Sequence, residues 1–170
     1  MIAPEKVQHE PLWKYLRWVI TQSYVRPQKL TLHTDIWTHN DAQKLLGDLQ
    51  WLRPVVGLSN DDLNSLRPLL KGTNPAARVS VSPEQRQIIE RFAQTVVGRY
   101  VDRRDPSLPI NITVLLGQTQ LLAALMQRKK KKGERTDFRV LEWLFTTLQP
   151  RTTIQQTMDN LAELVCKGRK

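Results

Sequence analysis

Gln43, Gly47 and Trp51 stand four residues apart in the run Asn40-Asp-Ala-Gln-Lys-Leu-Leu-Gly-Asp-Leu-Gln-Trp51, and in a helix that spacing puts them in one line. At about 100° per residue, Ala42, Leu45, Leu46, Leu49 and Leu52 fall on another arc, centred nearly opposite, which forms an apolar stripe for a core. A glycine inside a helix costs ~1 kcal/mol relative to alanine, so Gly47 needs a reason. An amide, a gap without a side chain and a flat aromatic in a row make a surface that another backbone can approach closely. A nucleic-acid minor groove fits it: Gln43 bonds base edges or sugar, Gly47 gives clearance, and Trp51 packs on sugar. A helix packed by protein on both sides, with Gly47 at a helix–helix contact, satisfies the same spacing.

The elements that must hold this line are marked by their caps. Thr38, with Asp41 three residues on, makes a capping box for the first helix, which is expected to end near Arg53 because Pro54 disfavours helical geometry before it. Ser59 and Asp62 repeat the signal for a second helix that Gly72 closes, with Pro68 kinking or shortening it. Ser82-Pro-Glu-Gln85 starts a third, striped by Ile88, Ile89, Phe92, Ala93, Val96, Val97 and Tyr100. Three capped amphipathic helices make a small bundle. Before them, residues 1–35 are rich in β-formers broken by Pro4, Pro11 and Pro27, too few strands for an independent sheet and so expected to lean on a body outside this chain. After them, Asp102–Pro109 has linker composition, followed by three strands over 110–117, 121–127 and 138–146 and a helix over 153–167. The fold class is α+β: a three-helix bundle between an N-terminal β-hairpin and a C-terminal βββα unit.

Charge narrows the partner. The 170 residues carry 26 Lys+Arg against 16 Asp+Glu, a formal charge of +10, which favours nucleic acid over an anionic membrane. Lys44 and Arg53 near the line, and Lys129, Lys130, Lys131 and Lys132 in the basic run 128–135, are candidate phosphate contacts; solvated surface or a nuclear-import signal accounts for such a run equally. The single cysteine, Cys166, allows no internal disulfide and fits a reducing compartment, cytoplasmic or nuclear. The charged residues among the first twenty exclude a signal peptide, and no apolar run reaches the ~20 residues of a membrane span.

Catalytic chemistry finds no foothold. Asp61-Asp62 is the only adjacent acidic pair and sits in a cap, where it complements the helix dipole. His9, His33 and His39 lack metal-ligand spacing, and there is no phosphate-binding glycine loop or nucleophile elbow. No catalytic residue, metal ligand or cofactor is expected in this chain.

Asn40–Pro54, followed by Leu66-Arg-Pro-Leu-Leu-Lys-Gly72, closely resembles the thumb of retroviral reverse transcriptases, with the nearest likeness to endogenous elements related to beta- and alpha-retroviruses. The resemblance implies that the first thumb helix lies in the minor groove of a template–primer duplex, with Gln43, Gly47 and Trp51 on the contact track. Ile2-Ala-Pro-Glu-Lys-Val-Gln8 and Trp13-Lys-Tyr-Leu-Arg-Trp18 resemble the end of the palm and its primer grip, which carries the grip over to Trp13, Lys14, Tyr15, Leu16 and Trp18. Family members usually have glycine where this chain has Arg17; an arginine adds charge but crowds a close approach. Asp105-Pro-Ser-Leu-Pro109 and Val140-Leu-Glu-Trp-Leu-Phe145 resemble the opening half of the ribonuclease-H-like connection domain, whereas Leu116–Leu122 and the lysine run depart from it.

The resemblance thus implies palm end over 1–35, thumb over 36–101 and half a connection domain over 102–170. The polymerase aspartates, which hold Mg²⁺ in the parent enzyme, are expected before Met1, and the ribonuclease H carboxylates beyond Lys170. What remains is a clamp for RNA–DNA hybrid or duplex template–primer. Three readings stay open: a relic reading frame of a degraded element, a host-retained RNA- or hybrid-binding protein, or an interaction module that pairs with full-length polymerase or itself through open sheet edges.

Overall fold

The computed structural model describes residues 7–28, 31–116, 121–130, 136–146 and 157–169. Three short antiparallel strands open it: β1 (Trp13–Tyr15), β2 (Trp18–Ile20) and β3 (Tyr24–Pro27). The helices α1 (His39–Val56) and α2 (Asn60–Asn64), a 3-10 turn over Arg67–Leu70, and α3 (Pro83–Val96) follow. Then come β4 (Val101–Asp102), the meander β5 (Ile110–Leu116), β6 (Leu121–Lys130) and β7 (Thr136–Phe145), and α4 (Thr157–Gly168). The chain is α+β with two antiparallel sheets, ordered β1-β2-β3-β4 and β5-β6-β7.

All three capping boxes form. The Asp41 N–H donates to Thr38 Oγ1 at 3.2 Å while Asp41 Oδ2 accepts from the Thr38 N–H at 2.9 Å, and Ser59/Asp62 and Ser82/Gln85 repeat the exchange. The Thr38 hydroxyl, donating to Asp41 Oδ2 at 2.8 Å, and then the Thr38 N–H hold the Asp41 carboxyl below the usual carboxylate range. Behind the caps lies one core, in which α1 contributes Ala42, Leu45, Leu49, Leu52 and Val56 against Leu63, Leu66 and Leu69 and against Ile89, Phe92 and Val96 of α3. A smaller core of Ala123, Leu144 and Leu164 joins α4 to the second sheet.

Four expectations need correction. First, α1 does not stop at Arg53: Pro54 is inside it, and the helix runs to Val56 before Gly57 caps it in the left-handed region (φ 79°), its N–H bonded to Arg53 O at 2.9 Å. The proline removes one donor, but Gln50, whose carbonyl loses that donor, is exposed to water, and the extra turn buries Val55 and Val56. Second, the N-terminal strands lean on this same chain. β3 pairs with β4 through Tyr24↔Asp102 and Val25↔Val101, and Arg103, in the expected linker, donates to Thr21 O at 3.0 Å. Third, the stripe of α3 ends at Val96; Val97 and Tyr100 are exposed, and the Tyr100 ring lies 5.2 Å from that of Tyr24. Fourth, the basic run begins inside a strand, not a loop, because Arg128 and Lys129 continue the β6 ladder opposite Phe138 and Asp137. The second helix is shorter than expected: α2 ends at Asn64 with Ser65 as its C-cap, well before Gly72, and Pro68 lies in a separate 3-10 turn over residues 67–70. The start expected for the last helix, 153–156, lies outside the described residues.

Gly57 ties the bundle to the second sheet. A Cβ at this position falls 2.9 Å from Cε2 of Trp143 on β7, and its φ of 79° favours glycine. Gly57→Ala is therefore expected to lower unfolding free energy by about 2–4 kcal/mol, combining the left-handed penalty with overpacking against the indole. Urea unfolding reads it, and a loss below about 1 kcal/mol contradicts the tight contact.

Candidate nucleic-acid interface

α1 presents Gln43, Lys44 and Gly47 to solvent. No heavy atom lies within 4 Å of a Cβ built on Gly47, so the helix–helix contact left open by the spacing is not made among the described residues. The gap is open space.

Trp51, one turn on, is half-buried. The N-terminal hairpin covers it: the Trp18 ring stacks on the Trp51 ring with centroids 4.1 Å apart and planes inclined by 26°. The hairpin turn is Leu16-Arg17, and both residues have positive φ, 43° and 69°. Arg17 Nη2 lies 3.3 Å from Asp48 Oδ1, and its Cζ stands 5.2 Å from the Trp51 ring centroid. Sequence reasoning gave Trp51 a track and Trp18 a grip without joining them, and no local signal in the sequence pairs the two indoles.

The other grip candidates divide by face. Tyr15 and Leu16 are 63% and 69% exposed at the turn, and Lys14 is exposed beside them. Trp13 is half-buried, its Nε1–H donating to Gln8 O at 3.1 Å, with Arg103 Cζ 5.9 Å from its ring. The Gln8 amide extends the edge of β1, accepting from the Lys14 N–H at 2.8 Å and donating to Lys14 O at 3.0 Å. The grip and track candidates thus meet through Trp18 and Trp51 on one surface.

Arg53 does not belong to that surface. It is 5% exposed, donates through Nε to Leu58 O at 3.0 Å and through Nη2 to Asn60 Oδ1, and lies 4.0 Å over the Phe145 ring. Burial pulls its pKa down to about 10, with Asp62 opposing the shift. Little of the guanidinium is left for phosphate, because Leu58 and Asn60 of the chain after α1 take its Nε and Nη2. Lys129 is exposed on β6; the Lys130 side chain, Lys131 and Lys132 lie outside the described residues.

The Asp62 carboxylate of α2 is engaged in structure. Asp62 Oδ2 accepts in the cap, and Oδ1 pairs with Arg91 Nη2 at 2.8 Å. Among the described residues no group of three or more His, Cys, Asp or Glu has the spacing to hold a metal ion. Nor is any described helix long and apolar enough to cross a membrane.

Residues 27–90, which hold α1, α2 and most of α3, match the family of the reverse transcriptase thumb domain. The chain is 30% identical over 168 residues to the Gag-Pol polyprotein of Rous sarcoma virus subgroup B (strain Schmidt-Ruppin), covering 99% of this chain and 10% of that protein. It is 31% identical over 170 residues to the Gag-Pro-Pol polyproteins of Squirrel monkey retrovirus and Mason-Pfizer monkey virus, covering 99% of this chain and 9% of each. Residues 27–90 thus carry a reverse transcriptase thumb domain, and the chain over nearly its whole length is similar to one segment of retroviral Pol polyproteins, spanning about a tenth of the length of the curated relatives it matches.

Proposed function

We propose that this chain clamps and positions a template–primer duplex, RNA–DNA hybrid or A-like, by laying α1 along its minor groove. The observation that carries the reading is the open gap at Gly47, flanked by exposed Gln43 and by the Trp51 indole, in a segment matched to a polymerase thumb. Gln43 bonds base edges or sugar, Gly47 lets the backbone come close, and Trp51 backs the sugar. The β1–β2 hairpin, with Lys14, Tyr15 and Leu16 outward, supports the primer strand, while Lys44 and Lys129 add charge for phosphates. In this reading residues 1–35 are the end of a palm, 36–101 a thumb and 102–170 half a connection domain.

The family's chemistry implies Mg²⁺, and the residues present do not fit it. Asp62 gives both carboxylate oxygens to other partners, and no carboxylate cluster stands near the track among the described residues. In this reading the chain's own part is to hold and orient the duplex. A second reading, an interaction module for polymerase or a second copy, is favoured by the outer strand β5, which ends its sheet with Leu115 and Leu116 40% and 85% exposed.

A fluorescence-anisotropy titration with labelled RNA–DNA hybrid at 50 and 200 mM salt tests the clamp. Neutralising about three phosphates weakens binding about 40-fold between the two conditions. Affinity that stays flat with salt, or no binding at 50 mM, sinks the proposal.

A further inference from the structure

We infer that Arg17 meets a backbone phosphate at the outer end of the track, beside the sugar that Trp51 backs; the inference rests on the duplex-clamping reading and names a contact within it. Leu16 and Arg17 form the two-residue loop between β1 and β2, closed by the pair Tyr15↔Trp18. With φ of 43° and 69°, both central residues sit where a primed hairpin turn requires positive φ, a place that favours asparagine and glycine. A β-turn there needs no arginine, and a long side chain at positive φ is strained.

The side chain has a definite destination. The Gln28 N–H bonds Arg17 O at 2.8 Å and fixes the backbone, and the guanidinium crosses to α1, where Asp48 Oδ1 accepts from Nη2 at 3.3 Å. Cζ then stands 5.2 Å from the Trp51 centroid. Asp48 directly follows Gly47, so the charge is delivered to the rim of the open gap. Trp51 is half-buried with Trp18 stacked on it at 4.1 Å, whereas the Arg17 side chain is 58% exposed. A backbone running along Gln43 and Gly47 reaches a planar cation at that end, with N–H groups in a fork that matches two phosphate oxygens. Asp48 orients the fork in the free protein and competes with phosphate for it.

Two substitutions in the full chain test this against labelled RNA–DNA hybrid over a salt series. Arg17→Gly suits the backbone, so its melting temperature is expected to equal or exceed that of the unaltered protein. Its affinity is expected to fall about tenfold, and the dependence of log K on log salt to become shallower by about one. Asp48→Asn releases the fork and is expected to tighten binding about threefold, an effect that shrinks when Arg17 is already glycine. Arg17→Gln, which keeps length and removes charge, gives the same change in slope if the glycine variant folds poorly. An unchanged slope and affinity in the charge-free variants overturns the inference, as does an Asp48→Asn effect of equal size with and without Arg17. Binding absent in the unaltered protein instead removes the duplex reading itself, which keeps the two failures distinguishable.

Discussion

Phe92→Ala is expected to lower the unfolding free energy by about 3–5 kcal/mol, the range for emptying a large aromatic site in a closed core. Phe92 is 1% exposed and sits on α3 among Leu45, Leu49, Leu66 and Ile89, themselves 0–2% exposed. Leu45, Leu49 and Ile89 come from helices pinned at their starts by capping boxes, so these walls cannot collapse far into the space left behind. Glu90→Ala, on the exposed side of the same helix, is the matched control and is expected to change stability by less than about 0.5 kcal/mol. Urea unfolding followed by circular dichroism reads both. If Phe92→Ala costs less than about 1 kcal/mol, the bundle is packed more loosely than its burial indicates.

Arg53→Met is expected to cost about 2–5 kcal/mol for a different reason. Leu58 O and Asn60 Oδ1 lose their donor in a buried place, at about 1–3 kcal/mol each. Asn60 in turn donates through Nδ2 to Thr146 O and Oγ1, both at 3.2 Å, so the loss travels from α1 to the end of β7. The guanidinium itself gains nothing from burial, as its lowered pKa records. Arg53→Met combined with Asn60→Leu is therefore expected to be less destabilising than the sum of the two changes by more than about 1 kcal/mol. Strict additivity in such a cycle means the two side chains do not act as one unit.

What the sequence made legible was local. The three capping boxes close within four residues, and the core stripe of α1 is periodic, so both follow from short stretches. Membership of the thumb family was legible for the same reason, since its signature lies in one helix and one turn. Local rules also misled at Pro54, where tertiary burial of Val55 and Val56 outweighed the missing donor. Arg53 looked like a surface charge at a helix end because nothing in its neighbours announces that Leu58 and Asn60 fold back over it. The meeting of Trp18 with Trp51 and the pairing of β3 with β4 join residues 33 and about 76 positions apart, and periodicity carries no information at that range. The candidate site was thus half readable: its line of residues from spacing, its hairpin cover only from the fold.

The stacked tryptophans also make the molecule its own optical probe. Two indoles with centroids 4.1 Å apart couple their electronic transitions, and that coupling falls steeply as the rings separate. With Trp13, Trp37 and Trp143 replaced by phenylalanine, the near-ultraviolet dichroism of the remaining pair reports a single event: whether the hairpin rests on the helix or has lifted from it. No label is needed, and the signal comes from beside the surface where a duplex is proposed to lie.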